Sequence, residues 1–379
     1  MGLYSIPLTT ASNPYSKIKP PAIRFCRPGT TNKANIFLGL KGRGDVTIRA
    51  SMLHIYDGDS SAGTARSANL PGQHLAWREA LICGPAPNNL SEAEFLEVRA
   101  QHLSSAYGAD LNQVRGEQRA QHDALALSRD HEEVVLWFEH DLFCQVHLLY
   151  LLNWFAQHQL GKTKLSLICI GEFPGVQLFH GLGELNEEQL ASLFPQREAV
   201  TAAQLELATR AWQAYSSTDA LSLVTLRDSD TSPLPFLHRA VVNHLQRFPW
   251  TGTGLGRVES AALQLVADGH HIFKKLFPAF SRRESEYGLG DAQLYRALKL
   301  MADAPTPLLK QSDRAEPTDA AGMLLSSFEL TDDGREVLAG AQDFVVENGI
   351  DQWLGGVHLL GPEAAWRWDY ETEQLLASV

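Results

Sequence analysis

Four short apolar runs between residues 53 and 170 constrain the fold of this chain most, because helical segments separate them. The apolar runs are Leu53–Tyr56, His74–Trp77, Val134–Phe138 and Leu165–Ile170, and the helical segments are Ser61–Ser67, Glu92–Tyr107, Leu111–Leu127 and Leu142–Gln157. Each run has the length and composition of a buried strand, and strands that alternate with helices form a parallel sheet. The sequence therefore predicts an α/β domain, a mostly parallel sheet with flanking helices, whose ligands bind outside the carboxyl ends of the strands.

The predicted α/β domain spans residues 52–185, and two further regions follow it. Residues 186–250 are predicted to be an all-helical segment. Asn186 and Thr201 each precede a glutamine by three residues, which is the spacing of a helix capping box. A linker rich in Gly and Thr then leads into a C-terminal domain, residues 251–379.

The C-terminal domain is predicted to be winged-helix-like. Its helices are Arg257–Asp268, Asp291–Ala302 and Asp332–Ala339, and its short strands are Trp353–Leu359 and Trp366–Tyr370, which flank a Gly-Pro turn. Helices followed by a small β-hairpin have the order of a winged helix-turn-helix. From residue 253 onward, 11 Lys and Arg face 20 Asp and Glu, a net charge of −9 that disfavours contact with phosphate backbones. We therefore expect this domain to pack on the body or to bind a partner protein, with DNA binding as the alternative.

Residues 1–51 differ in composition from the rest of the chain. They carry eight Lys or Arg and one Asp, are rich in Pro, Ser and Thr, and show no helical or strand periodicity. We expect a disordered extension outside the fold, arising from a start assigned too far upstream at Met1; a basic, acid-poor transit peptide is the alternative. Because the whole chain has a net charge of −12, the remaining residues carry −19, which disfavours nucleic acid as a partner.

Cysteine spacing and hydropathy indicate where such a protein works. Cys26, Cys83, Cys144 and Cys169 lie far apart with no Cys-x-x-Cys pair, which disfavours disulfides and a structural zinc site. Cys144 and Cys169 lie within apolar runs and are interpreted as small buried hydrophobic residues. No stretch approaches the ~20 continuous apolar residues that span a bilayer. We therefore expect a cytoplasmic protein with reduced thiols and no membrane contact.

Several motifs together resemble the domain of unknown function family 1835. They are HIYDGDS at 54–60, Trp77-Arg78 with Gly84-Pro85, LWFEHDL at 136–142 and CIGEFPG at 169–175. The resemblance covers about residue 52 to the C-terminus, and Asp57 stands where similar proteins are expected to have Asn. It implies the α/β fold and a site at the strand ends, but no particular reaction or cofactor.

The loop Asp57–Gly63 follows the first strand and is a candidate anion site. Gly58 permits a tight turn, and Ser60 or Ser61 is predicted to cap the next helix, whose N-terminal amides attract an anion. Asp59 would orient a catalytic group or bind a metal ion, or else shape the turn alone. The loop has neither the Walker nor the dinucleotide-binding spacing. Its Gly-Asp-Ser triplet occurs in GDS-type lipases, but the Asp-x-x-His that such an enzyme needs near its C-terminus is absent.

Glu139, His140 and Asp141 directly follow the third strand and are the main catalytic candidates. A carboxylate beside an imidazole suits general acid/base chemistry, so Glu139 and His140 are predicted to form such a pair. Asp141 would bind a ligand or cap the next helix. With Asp59, Glu139 and His140 could instead hold a divalent cation. Arg78, after the second strand, would bind a phosphate or carboxylate, or pair with Asp59 or Glu139.

Polar groups at four consecutive strand ends, with Glu172 after the fourth, favour a site over pure architecture. The sequence predicts an enzyme-like or ligand-binding α/β domain for a small anionic molecule, such as a nucleotide or a phosphorylated metabolite. The alternative is a regulatory protein whose winged-helix-like tail binds DNA or a protein while the α/β domain senses a ligand. His147, on a predicted helix, is interpreted as a surface or internally satisfied histidine. The reaction and any cofactor stay unpredicted.

Overall fold

The structure is a computed structural model that describes residues 50–312 and 320–377, and it begins with a five-stranded sheet. The strands are β1 (Ala50–Asp57), β2 (Gln73–Trp77), β3 (His131–Glu139), β4 (Lys164–Ile170) and β5 (Glu198–Ala199). Their order is β2-β1-β3-β4-β5, with β1 to β4 parallel and β5 antiparallel. The predicted parallel sheet is confirmed. The extension was predicted to span residues 1–51. Residues 1–49 lie outside the described residues, and residues 50 and 51 belong to β1.

Helices flank both faces of this sheet, as predicted. They are α1 (Asp59–Ser67), α2 (Glu92–Tyr107), α3 (Leu111–Ala126), α4 (Leu142–Gln157), α5 (Glu187–Leu193), α6 (Ala202–Tyr215), α7 (Leu221–Arg227) and α8 (Leu237–Leu245). Ile55 and Leu136 pack with α4 and α6 on one face, whereas Tyr56 and Trp137 pack with α1 and α5 on the other. Both faces of the sheet are therefore buried under helices, which explains why the strand sequences are continuously apolar.

The strand order places a switch point between β1 and β3. The chain moves from β1 outward to β2, and its next connection crosses back over β1 to β3. In parallel sheets the crevice that binds ligands forms at the carboxyl ends of the strands on either side of such a reversal. Residues that end β1 and β3 are therefore the first candidates for a site.

The C-terminal part consists of short helices and antiparallel strand pairs. Its elements are α9 (Arg257–Ala267), α10 (Phe273–Arg283), α11 (Asp291–Ala302), β6 (Leu309–Gln311), α12 (Ala320–Leu325), β7 (Phe328–Leu330), α13 (Asp332–Leu338), α14 (Phe344–Asn348), β8 (Ile350–Leu354), β9 (Val357–Gly361), β10 (Trp366–Asp369) and β11 (Gln374–Ala377). The pairs are β6–β7, β8–β9 and β10–β11. One apolar cluster runs from Leu53 in β1 through Leu152 in α4 to Trp368 in β10, so this part packs against the sheet's helices.

Most local predictions hold, and three need correction. The capping boxes at Asn186 and Thr201 are confirmed. The predicted strand Trp353–Leu359 is wrong, because it spans the turn of the β8–β9 hairpin. The second predicted strand is the first strand of a separate hairpin. The segment 186–250, predicted to be all-helical, contains the short strand β5. No helix in the described ranges is long and apolar enough to cross a membrane.

Candidate functional site

Three carboxylates meet at the carboxyl edge of the sheet, where β1 and β3 lie side by side. Asp57 ends β1, Glu139 ends β3, and Asp141 immediately precedes α4. All three side chains are buried, with 2% of the Asp57 side chain exposed. Cys144 and His147 lie in the first two turns of α4 and complete the group, which we call the carboxyl-edge cluster.

Hydrogen bonds hold Glu139 and Asp141 in place. The Leu182 N–H donates to Oε1 of Glu139 at 2.7 Å, and the Cys144 thiol donates to Oε2 at 2.9 Å. Asp141 Oδ1 accepts the Cys144 N–H at 2.9 Å, so this residue caps α4 as predicted. Each carboxylate therefore has a fixed direction before any ligand arrives.

An aspartate–histidine pair forms the other side of the cluster. The Leu81 N–H donates to Nε2 of His147 at 3.1 Å, so Nε2 carries no proton and the proton lies on Nδ1. Nδ1 then donates to Oδ1 of Asp57 at 2.8 Å. The other oxygen, Oδ2 of Asp57, is buried and has no hydrogen-bond partner among the described residues. The cluster therefore contains an unused acceptor, which is costly inside a protein.

Burial and mutual repulsion change the acidity of the cluster. Burial, with the nearby carboxylates of Asp141 and Asp57, raises the pKa of Glu139 to about 8. Burial also raises the pKa of Asp141 to about 6, although the Cys144 N–H opposes this rise, and it raises that of the Cys144 thiol well above its usual value. Three acids this close cannot all ionise cheaply without a compensating cation or proton.

The predicted anion holders lie beside the cluster and are already occupied. Arg78 donates to both oxygens of Asp59, at 2.8 and 2.6 Å. This ion pair is the alternative that the sequence analysis gave for Arg78. Ser60 donates to the Gly183 carbonyl at 3.2 Å, and Ser61 is buried. The prediction that a serine caps α1 is wrong, since Gly58 holds the cap position and no side chain caps the helix.

The predicted Glu139–His140 pair does not form. His140 packs against Phe179 and Phe236, and its Nδ1 is buried without a partner in the described part of the chain. Successive residues at the end of a strand point to opposite faces, so the two side chains separate. Burial lowers the pKa of His140. Glu172 is exposed.

The metal set predicted from the sequence is likewise not assembled. Asp59 is bound by Arg78 and His140 lies among aromatic rings. In the described ranges, a carboxylate oxygen of Asp57, one of Glu139 and the sulfur of Cys144 lie within 4.8 Å of one another instead.

A cavity of about 430 Å³ opens between the α/β domain and the C-terminal part. Its polar lining residues include Arg247, at the end of α8, and Arg296 and Gln293, on α11. His102 and Ser105 of α2 face it from the other side. We call it the arginine cavity.

The two arginines keep their charge available to this cavity. Neither forms an ion pair in the part of the chain that the structure describes, and the side chain of Arg247 contacts His244 Nδ1, at 3.4 Å, and the side chain of Tyr215. Burial raises the pKa of the lining Glu259, and the nearby charge of Arg247 opposes this rise. The lining Asp351 accepts a hydrogen bond from His358 at 2.8 Å. The cavity is therefore lined by two arginines that have no salt bridge in the described residues, together with the carboxyl groups of Glu259 and Asp351.

A second cavity, of about 590 Å³, lies between the loop before α5 and helix α10. Its charged lining residues include Arg282, Glu184 and Glu284, and Arg257 binds Glu284 through both carboxylate oxygens at 2.9 Å. The charged lining of this cavity is therefore one arginine and two glutamates, whereas the arginine cavity has two arginines and two carboxyl groups.

Cys144, His147, Arg247 and Arg296 are among the residues of these sites that were not predicted, and the first two left a signal in the sequence. Cys144 and His147 lie three positions apart on α4, just after the acidic triplet, so one helix face carries both towards the strand ends. Arg247 and Arg296 left no local signal, because only the packing of α8 and α11 on the body brings them together.

Replacing Gly288 by Ala is expected to destabilise the protein by several kcal/mol. Gly288 has φ +63°, and an added Cβ would overlap the buried Oδ1 of Asp141 as well as Phe143. The matched control is Gly269→Ala, because Gly269 has φ +96° but open space around its α-carbon, so only the backbone cost of about 1 kcal/mol applies. Urea unfolding measures both. Equal losses in the two variants would contradict the close packing of the 288 loop on the cluster.

No protein-family model matches this chain and no curated protein is similar to it, so the resemblance to family 1835 stays a prediction.

Proposed function

We propose that this protein binds a small anionic molecule in the arginine cavity. The observation that carries the proposal is that Arg247 and Arg296 line one cavity without an ion-pair partner in the described residues. Guanidinium groups bind phosphate and carboxylate through paired hydrogen bonds, and burial strengthens them. The volume of about 430 Å³ lies in the usual range of small-molecule sites, roughly 300 to 1,000 Å³.

Unpaired polar atoms around the cavity support the same proposal. Nε2 of His102 is buried and has no hydrogen-bond partner in the described ranges, and Gln293 adds an amide to the lining. Buried polar groups normally have partners, supplied by the protein, by water or by a ligand. A nucleotide or a phosphorylated metabolite would offer acceptor oxygens to both arginines.

The proposal concerns binding and leaves the reaction open. Glu139, whose raised pKa would suit an acid at neutral pH, does not line the arginine cavity. A catalytic role would need a substrate that reaches the carboxyl-edge cluster as well.

The test is a thermal-shift panel on the full chain with inorganic phosphate, nucleoside monophosphates and diphosphates, and dicarboxylates. Neutral nucleosides are the matched controls. An anion at 100 times its dissociation constant is expected to add about 2.7 kcal/mol of stability. Two results would overturn the proposal. One is that a neutral nucleoside stabilises the protein as much as its phosphate does; the other is that none of the anions stabilises it.

Replacing Arg78 by Ala is expected to leave anion binding unchanged, within about 2-fold in the dissociation constant. The Arg78 guanidinium is neutralised by Asp59, so its removal takes no free charge from the ligand site. Calorimetric titration with the best anion of the panel measures the constant. An increase of about 10-fold or more in the dissociation constant would indicate that the anion binds at the loop after β1, because the loss of one charge-assisted hydrogen bond has an effect of that size.

A regulatory role through the C-terminal part is the second candidate. Helices α9, α10 and α11 are followed by the β6–β7 pair, and Ile272, between α9 and α10, bridges to Ser327 beside β7. This order is that of a winged helix whose wing would be β6–β7, not the strands at 353–359 and 366–370 from which the sequence predicted one.

The position of α11 favours a ligand over DNA. In a winged helix the third helix reads the major groove. Here Arg296 and Gln293 on α11 face the arginine cavity, and Ala292 packs against the apolar cluster of α2. A gel shift with duplex DNA at low salt tests this candidate. Retardation that Arg296→Ala abolishes would support it over the ligand proposal.

A further inference from the structure

We propose that Asp57, Glu139 and Cys144 form a binding site for a divalent cation of the zinc class. This site is separate from the arginine cavity, and its test needs no anion, so either proposal can fail alone. A carboxylate oxygen of Asp57, one of Glu139 and the Cys144 sulfur lie within 4.8 Å of one another. Small adjustments bring three such atoms around one ion, whose bonds to oxygen and sulfur are about 2.0 to 2.3 Å long.

The unused oxygen of Asp57 points to a missing partner. The Asp57 side chain is 2% exposed, and its Oδ2 has no hydrogen-bond partner in the described part of the chain. A buried carboxylate oxygen without a partner costs free energy. A cation bound between Asp57 and Glu139 removes that cost and the repulsion between the two acids.

Each of the three ligands is already oriented by a group outside the set. His147 donates to Asp57, the Leu182 N–H donates to Glu139, and the backbone of Cys144 is fixed by the Asp141 cap. Such outer hydrogen bonds orient the ligands in protein metal sites. They leave a carboxylate oxygen of Asp57, one of Glu139 and the Cys144 sulfur within 4.8 Å of one another.

One hydrogen bond inside the set shows what the cation replaces. The Cys144 thiol donates to Oε2 of Glu139 at 2.9 Å. Binding would displace this proton, so that both atoms become ligands of the ion. The N-terminus of α4, which contains Cys144 in its first turn, stabilises the resulting thiolate.

The donor atoms select the class of ion. A thiolate with two carboxylates suits zinc, whereas Mg²⁺ and Ca²⁺ take oxygen ligands alone. Three protein ligands leave one position of a tetrahedral zinc ion open for water or a substrate atom.

The test is titration of the chelator-treated full chain with Co²⁺ and with Zn²⁺. Co²⁺ is expected to bind at one equivalent and to give a thiolate-to-cobalt charge-transfer band, which Zn²⁺ then displaces. Asp57→Asn and Cys144→Ser are expected to lose stoichiometric binding, and Cys144→Ser also loses the band. The matched control is Cys169→Ser, since the Cys169 thiol contacts the Glu139 carbonyl oxygen at 3.7 Å but is not a member of the set.

Two results would overturn the proposal. One is the absence of a charge-transfer band in the wild-type chain, which needs no variant and so cannot be confused with misfolding. The other is a band that survives in Cys144→Ser or disappears in Cys169→Ser. Circular dichroism of the metal-free variants shows that each is folded before its titration is compared.

Discussion

Replacing Arg296 by Ala is expected to raise the dissociation constant of the bound anion by at least about 10-fold, because a hydrogen bond to a charged group is worth about 1.5 to 3 kcal/mol. Arg296 lines the arginine cavity and has no ion-pair partner in the described residues, so no salt bridge has to break before it binds the ligand. The dissociation constant of Arg296→Lys is expected to lie between those of the wild type and Arg296→Ala, since an ammonium group keeps the charge but cannot donate two parallel hydrogen bonds. Calorimetric titration of the three chains measures the order.

The control for this series is Arg282→Ala. Arg282 lines the second cavity and is exposed on α10, so the change in net charge is the same but lies outside the proposed site. Its dissociation constant should match that of the wild type. If Arg282→Ala and Arg296→Ala weaken binding equally, the effect is one of general charge and the arginine cavity is not the site. The double variant of Arg247 and Arg296 should lose binding by about 100-fold or more if each contributes as estimated.

Acidification from pH 6.5 to 4 is expected to destabilise the protein, and His54 should account for up to about 3 kcal/mol of that loss. His54 lies within β1 and is fully buried. Trp137 Nε1 donates to its Nδ1 at 3.1 Å, and its Nε2 lies 2.9 Å from the Pro71 carbonyl. Because Nδ1 of His54 accepts the Trp137 hydrogen bond, protonation of Nδ1 breaks that bond. Burial lowers the pKa of His54 to about 4, from an ordinary value of 6.5.

The sign of the effect follows from proton binding. Between pH 6.5 and 4 the unfolded chain binds a proton at His54 and the folded chain does not, so the free energy of unfolding falls as the pH falls. Each pH unit in this window costs about 1.4 kcal/mol. Above pH 6.5 neither state is protonated at His54, and its contribution is constant.

The variant that tests this is His54→Gln. We expect it to be less stable than the wild type at pH 7, because it loses buried packing, and the difference should shrink towards pH 4. His238→Gln, at an exposed position of α8, is the control and should keep a constant difference. Urea unfolding at several pH values gives the curves. Parallel curves for wild type and His54→Gln would contradict the account of His54.

The elements of the α/β domain could be predicted because local signals and tertiary packing agree there. Helices α2 and α4 have the predicted bounds to the residue. Ser91 and Gly108 mark the ends of α2, and Asp141 marks the start of α4. The strands are apolar throughout because helices cover both faces of the sheet.

The wrong predictions concern two kinds of position. At one kind a local turn signal was not used, and at the other the structure depends on contacts between distant segments. The Gly355-Gly356 pair is a two-residue hairpin turn, and a strand drawn through it ignores the strongest local turn signal. The acid/base pairing of adjacent residues fails because a strand end directs neighbouring side chains apart.

The sequence placed its candidate residues at the carboxyl edge of the sheet, where the structure groups Asp57, Glu139 and Asp141, but the side-chain pairs there differ from those predicted. Asp57 and His147 form the carboxylate–imidazole pair that the sequence suggested for Glu139 and His140. Cys144, interpreted as a buried hydrophobic residue, lies against Glu139. Which side chains of β1 and α4 meet depends on the crossing of the helix over the sheet, and one sequence does not encode that locally.

The most direct test of the central claim is a crystal structure of the full chain with the most stabilising anion of the panel. We expect density for the anion within hydrogen-bond distance of the guanidinium groups of both Arg247 and Arg296. Density at the N-terminus of α1 beside Arg78, or in the second cavity beside Arg282, with the arginine cavity unchanged, would contradict it.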